Sequence, residues 1–499
     1  MLKSILKSAG ADAVKYFPVR FVPALTALVT VPIFTRAVGA AEYGDFYLIT
    51  TATSVAAAVA TAWITGAVVR FYWTYHKQER LDDFVSTTLW ATAGSIFGVS
   101  AIIGMGAWLL RDVIPAGVLA LVPVGLGSLA VNYFVQVALQ VLRAANRSTS
   151  YAVLSVASTL ITTAFSIYFV ASGDLGAFGI LLGVVVGNLI VLPFSLRSIA
   201  REGSLAPTHV RRDVLAEFMR FGLPLVPATV SSLLLVLSDR YMLGILRDSA
   251  EVGLYSLTYG LGEKIMQLIT LPLIITMVPV MTQAFEQQGA EMAQKVQTQF
   301  TRYFALATIP ILGGLLAAGE DFMTVFTGTE YHSAYPILPV VAGIAMCWAL
   351  VQLAGNGIAL AKRSTIIMSN TLAGTAFNVA GNALFIPRYG YTAAAWTTLG
   401  AYGVILLLTW LRSRTYLAWR IPAPDVLKAL VAGAALWTAL RLVFAHAQPS
   451  IALLLAEAAL GLATYAIVLL VLRAFHPDEI ALVKSVTSRV LRRSRGHRM

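Results

Sequence analysis

Glu42-Tyr43-Gly44-Asp45-Phe46-Tyr47-Leu48 recurs as Glu251-Val252-Gly253-Leu254-Tyr255-Ser256-Leu257, and this recurrence decides the architecture. Upstream of each copy, Phe21-Val22-Pro23-Ala24-Leu25-Thr26 pairs with Leu225-Val226-Pro227-Ala228-Thr229-Val230, at an offset only five residues smaller. Between them, each copy carries a polar pair with Arg, Thr35-Arg36 and Asp239-Arg240. Downstream, Leu196-Arg197-Ser198 answers Leu411-Arg412-Ser413. A repeat of this kind means one structural unit used twice.

The medium around that unit follows from composition. Of 499 residues 58% are hydrophobic and only 12% charged, too few charges to cover the surface of a soluble protein of this length. The formal charge of +12 is scattered between apolar runs rather than gathered on one face, which argues against nucleic acid. The lone cysteine, Cys347, and the six widely spaced histidines give neither a disulfide framework nor metal-ligand spacing. The first fifteen residues lack the apolar core and small-residue cleavage site of a secretory signal, so no cleavage is expected.

A bilayer core of about 30 Å needs about 20 apolar residues of helix. About fourteen such runs emerge, six before residue 198, six between 221 and 413, and two between 414 and 475. Placing the N-terminus in the cytoplasm puts most of the 36 Lys and Arg on that side. Only Arg36, Arg111, Arg247 and Arg388 then fall outside, as the positive-inside rule requires. The expected protein is thus all-α and integral to the membrane, with both termini cytoplasmic and two parallel six-helix repeats. The expected parts are an N-lobe at 1–198, a cytoplasmic linker at 199–220, a C-lobe at 221–413, a two-helix extension at 414–475 and a basic amphipathic tail at 476–499. In the tail, Ile480, Val483, Val486 and Val490 recur at helical spacing, which suits an interfacial helix.

Charged groups at membrane depth are functional candidates by default. Lys264 sits about halfway along the eighth run beside Glu263, whereas Arg20 and Arg70 lie near cytoplasmic helix ends, where snorkelling to headgroups is the alternative. Asp239 and Arg240 close the seventh run; neighbours on a helix do not face each other, so different partners are expected. Gln352, Asn356, Asn370, Asn378 and Asn382 offer hydrogen bonds in the tenth and eleventh runs, with interhelical bonding as the alternative to ligand binding. Arg441, outside the repeat, is expected to be structural or to snorkel. Gly179, Gly183 and Gly187 form a small-residue stripe for close packing, and Pro18, Pro23, Pro32, Pro224 and Pro227 mark bends. No G-x-x-x-x-G-K-[ST] phosphate loop occurs; Gly260-Leu261-Gly262-Glu263-Lys264 is only an echo of one, inside a run.

The Glu-x-Gly elements, Ser238-Asp239-Arg240, Glu330-Tyr331-His332-Ser333-Ala334-Tyr335 and Asn382-Ala383-Leu384-Phe385-Ile386-Pro387-Arg388-Tyr389-Gly390 leading into Ala393-Ala394-Ala395 together resemble bacterial polysaccharide flippases. These are the Wzx-like O-antigen flippases of the polysaccharide transporter family, within the multidrug/oligosaccharidyl-lipid/polysaccharide exporter superfamily. The resemblance covers nearly the whole chain. It implies a transporter, not an enzyme, without a cofactor, in the bacterial inner membrane. Such a protein flips undecaprenyl-pyrophosphate-linked oligosaccharide to the outer leaflet by alternating access, beside polymerases or glycosyltransferases. On that implication Arg20, Arg70 and Lys264 are candidates for the pyrophosphate, Asp239, Arg240 and Glu263 for gating or ion coupling, and Gln352, Asn356, Asn370 and Asn378 for sugar hydroxyls. A lipid II-type flippase and a cation-coupled multidrug exporter are the alternatives within the superfamily.

Overall fold

Runs of apolar residues in lipid must satisfy their own backbone groups, which selects helices. The computed structural model describes residues 2–475; within them, side chains are described from Pro18 onward except at 20, 24, 228, 231, 232, 234 and 235. Every regular element among the described residues is helical. The expected amphipathic tail at 476–499 lies outside them.

The first half comprises α1 (Leu2–Ala37), α2 (Ala40–Lys77), α3 (Leu81–Leu109), α4 (Ala116–Ala144), α5 (Ser148–Gly173) and α6 (Gly176–Ile199). After α7 (Arg212–Gly222) come α8 (Val226–Leu246), α9 (Ser249–Phe326), α10 (Leu338–Leu360), α11 (Ser364–Ser413), α12 (Ala423–Phe444) and α13 (Ile451–Val471). Ten helices among the described residues are long and apolar enough to cross a membrane. α9 and α11 each hold two of the expected apolar runs, and each breaks at a glycine with positive φ, Gly289 at +82° and Gly390 at +56°. Elsewhere Glu79, Asn146, Asp174 and Lys362 take the left-handed position just past a helix end, a role glycine more often fills.

The chain divides into two compact units. Among the described residues, the first contains those up to 264 with 326–337 and 369–404, and the second 265–325, 338–368 and those from 405 onward. In the first, Ile64, Tyr72, Phe84, Leu139 and Phe218 build a core from α2, α3, α4 and α7. The expected linker is an ordered part of that core: Val214 and Phe218 on α7 are fully buried. Its polar face is held by Arg80 to Asp213 at 2.9 Å, by Arg211 to Asp83 at 3.2 Å and by the Tyr75 hydroxyl donating to Glu217 at 2.5 Å. The glycine stripe on α6 faces α5, where a Cβ on Gly183 would lie 2.2 Å from the Ser166 nitrogen.

In the second unit, Ile309, Ala429, Leu436, Leu440 and Tyr465 pack the latter part of α9 against α12 and α13. Arg302, 2% exposed, donates to the Ala474 carbonyl and has Asp425 at 3.5 Å. An apolar cavity of about 650 Å³ opens beside Phe304, Thr308, Met346, Trp419, Leu430 and Trp437.

Candidate functional site

α8 brings Asp239 into a fully buried position in the first unit. A carboxylate there must be hydrogen-bonded, and three groups supply donors. The Tyr255 hydroxyl of α9 donates to Oδ2 at 2.6 Å, the Thr398 hydroxyl of α11 donates to Oδ2 at 2.7 Å, and Asn382 Nδ2 donates to Oδ1 at 2.6 Å. Around this ring, Asn378 Nδ2 donates to Thr398 Oγ1 at 3.0 Å, Asn382 Nδ2 reaches Asn378 Oδ1 at 3.2 Å, and Thr397 donates to Asn382 Oδ1. The network ties α8, the start of α9 and both stretches of α11 together. Its oxygens are the hard donors that an alkali or alkaline-earth cation prefers.

Arg240, the next residue, turns elsewhere. Its guanidinium donates to the Val236 carbonyl at 2.8 Å and lies over the rings of Tyr259 and Tyr255, at 5.1 and 5.8 Å. That is cation–π placement in a desolvated setting.

The repeated Glu-x-Gly elements meet each other. A Cβ on Gly44 would fall 1.7 Å from the Ser249 carbonyl oxygen, and one on Gly253 would fall 2.0 Å from that of Ala40. Only glycine lets the starts of α2 and α9 cross this closely. The preceding glutamates repeat one contact. Glu42 Oε1 accepts from the Ala177 nitrogen at 2.7 Å, just after Gly176 at φ +47°, and Glu251 Oε2 accepts from the Tyr391 nitrogen at 2.8 Å, just after Gly390 at φ +56°. Each carboxylate thus sits at the N-terminus of a helical stretch, where the dipole favours negative charge. Glu330 adds a third such contact, accepting from the Ala40 nitrogen at 2.7 Å.

Of the other candidates, Glu263 lies near the network, its charge acting on Tyr259 and Tyr402 as that of Asp239 does. Arg70 is exposed, its guanidinium 5.7 Å from the Phe71 ring. Lys264 is exposed on α9 and Glu263 half-buried beside it. Arg20 lies on α1, its side chain outside the described residues. Asn370 and Asn378 are buried in the first unit. Asn356, in the second unit with Gln352, donates to the Gln352 carbonyl at 2.9 Å and contacts Met277. The structure therefore gathers Asp239, Arg240 and Asn378 with Asn382 and does not gather Arg70 with them. Tyr255, Tyr259, Thr397 and Thr398 complete the network without having been singled out in the sequence. Tyr255 alone carried a signal, since it lies inside the repeated element.

Apolar helices of spanning length, a duplicated half and a charge network buried among helices define a multi-pass α-helical membrane protein. The chain belongs to the polysaccharide biosynthesis protein family, which matches residues 12–285, more than half of its length. Among solved structures, the inward closed conformation of the lipid II flippase MurJ is similar at a TM-score of 0.73 and 13% identity, over 92% of this chain and 97% of that one. An inward-facing multidrug resistance MATE family transporter of the MOP superfamily follows at 0.59 and 12%, covering 80% and 94%. The Vibrio cholerae MATE transporter VcmN in its bent form gives 0.51 and 14%, covering 86% and 99%. No curated protein matches the chain. At these identities the likeness is one of fold, and the fold is that of membrane transporters.

Proposed function

We propose that the protein flips an undecaprenyl-pyrophosphate-linked oligosaccharide from the cytoplasmic to the outer leaflet of the bacterial inner membrane by alternating access, for surface polysaccharide synthesis. The observation that carries this reading is the match to the polysaccharide biosynthesis family in a chain whose two Glu-x-Gly elements cross at Gly44 and Gly253. With the N-terminus in the cytoplasm this crossing lies on the outer side, where a contact between repeated halves would close one face of a transport path. Two lobes at 1–198 and 221–413, with the extension at 414–475, are the parts that would move.

Arg20, Arg70 and Lys264 are the cations we assign to the pyrophosphate, which a bidentate Arg suits best. The apolar cavity beside Trp419 and Trp437 offers a polyprenyl chain a surface of its own polarity. Gln352, Asn356, Asn370 and Asn378 remain our candidates for sugar hydroxyls, although Asn378 spends its amide within the network. Asp239, with Arg240 and Glu263, is where an inward-moving cation would couple. An inside-negative potential itself favours outward movement of an anion, by about 2.3 kcal/mol per charge per 100 mV. A lipid II-type flippase is the second reading, supported by the fold likeness over 92% of the chain.

Binding separates the two. An undecaprenyl-pyrophosphate oligosaccharide lacking peptide should raise the melting temperature of the purified protein, and Lys264→Glu should remove that rise without lowering the unliganded melting point. Stabilisation by lipid II alone would transfer the assignment to the second reading.

A further inference from the structure

The α7 helix has three sides, and the fold accounts for two of them. Val214, Phe218 and Gly222, four residues apart, form the buried side. A Cβ on Gly222 would lie 2.1 Å from the Trp63 carbonyl oxygen of α2, and the Phe221 and Phe71 rings meet edge to face at 5.2 Å. On the polar side, Asp213 and Glu217 are engaged by Arg80 and Tyr75. The third side, again at four-residue steps, holds Leu215, Met219 and Leu223. Met219 is 39% exposed and Leu223 49%.

An exposed apolar stripe on an amphipathic helix needs an apolar medium. The chain fixes the depth at which this one sits. After Gly222 only the turn Leu223–Leu225 precedes α8, the seventh apolar run, so α7 stands where the chain enters the bilayer and acyl chains are the nearest such medium. Charge then selects the lipid. Arg212 heads the stripe and Arg220 borders it; both are exposed, and neither pairs with a carboxylate among the described residues. The carboxylates around them turn toward the fold instead. Asp82 accepts from the Ser204 nitrogen at 2.6 Å, Asp83 meets Arg80 and Arg211, and Glu202 accepts from Tyr72 at 2.8 Å and from Arg147 at 2.6 Å. Arg212 also stands in the first turn of α7, where the helix dipole disfavours a cation, so the helix itself gives it no reason to be there.

We propose that α7 is a docking surface for anionic phospholipid of the cytoplasmic leaflet. Leu215, Met219 and Leu223 lie against acyl chains, and Arg212 and Arg220, roughly 12 Å apart along the axis at 1.5 Å per residue, take phosphate headgroups in the forked geometry that arginine offers. Each arginine at an anionic surface favours it about fivefold. The linker between the repeated halves is then held by the membrane as well as by α2 and α3, whichever substrate is carried.

A tryptophan reporter at Met219→Trp tests this in the full-length protein. Nanodiscs of equal phosphatidylglycerol and phosphatidylcholine are prepared with only one of the two lipids brominated on its acyl chains, and the signal of the parent chain, with its nine native tryptophans, is subtracted. Brominated phosphatidylglycerol should quench the reporter more than brominated phosphatidylcholine. Arg212→Gln with Arg220→Gln should abolish the difference and leave quenching by both. Leu223→Trp serves as reporter if Met219→Trp fails to fold by gel filtration. Equal quenching with both arginines present overturns the anionic preference, as does a difference that survives the double variant. Quenching by neither lipid overturns the membrane contact. A difference removed by inorganic phosphate, but not by chloride of equal ionic strength, assigns the arginines to a soluble anion instead.

Discussion

Asp239 accepts from Tyr255, Thr398 and Asn382, so removing its carboxylate strands the buried Tyr255 hydroxyl and an N–H of Asn382, while the Thr398 hydroxyl keeps the Ala394 carbonyl at 2.8 Å. Each stranded group costs about 1–3 kcal/mol. Asp239→Ala should therefore melt well below Asp239→Asn, which keeps one acceptor and the shape, in thermal denaturation of the detergent-solubilised protein. Equal melting points would show that the ring of bonds contributes nothing. Gly390 and Gly176 make a second pair of cases. Their φ values of +56° and +47° cost an L side chain roughly 1–2 kcal/mol. A Cβ on either would also lie 2.0 Å from Glu251 Oε2 or Glu42 Oε1. Gly390→Ala should lower the melting temperature, and adding Glu251→Ala should restore only part, because it relieves the clash and not the backbone. Full recovery would assign the whole cost to the clash. Asp239 was legible in the sequence because a charge near the end of an apolar run needs a reason. Thr398 and Tyr259 were not, because hydroxyls are common in apolar helices and nothing in the sequence pairs Thr398 with Asp239, 159 positions away, or sets the Tyr259 ring under Arg240.

At the scale of elements, the crossing of α2 and α9 depends on two hydrogen atoms in place of side chains. Gly44→Val puts a branched side chain where a single Cβ already meets the Ser249 carbonyl at 1.7 Å. The starts of the two helices must then separate. Cysteine pairs introduced across this crossing should form disulfides readily in an otherwise wild-type chain and far more slowly with Gly44→Val; unchanged cross-linking would mean that the contact is not held by its glycines. The α7 linker responds to acid. The Arg80 guanidinium holds the Asp213 carboxyl below its ordinary range. A lowered carboxyl stabilises the fold above the unfolded value near pH 4 and loses that contribution as pH falls through the folded value. Amide protection in α7, measured by hydrogen exchange, should drop between about pH 5 and pH 3, and Asp213→Asn should flatten the profile at the lower level. The repeated Glu-x-Gly words marked two equivalent helix starts, but that the two meet at Gly44 and Gly253 is a long-range contact the repeat does not record. The order of the linker was hidden. Val214 and Phe218 are too few apolar residues to stand out beside runs of twenty.

For the whole molecule, apolar run lengths and the duplication identify an all-helical membrane protein, and the breaks at Gly289 and Gly390 come where charge or Pro-Arg-Tyr-Gly interrupts the apolar runs. The division into compact units is a matter of long-range packing, and run length carries no record of it. The headgroup chemistry we propose assigns the pyrophosphate to Arg20, Arg70 and Lys264, of which Arg70 and Lys264 are exposed. Reconstituting the purified protein into liposomes with a fluorescent undecaprenyl-pyrophosphate oligosaccharide, and timing the label's appearance on the opposite leaflet, addresses that chemistry directly. Protein-dependent flipping that accelerates under an inside-negative potential is the expected result. A lipid that stays on its original leaflet, while the same vesicles move a soluble cationic drug, would contradict it.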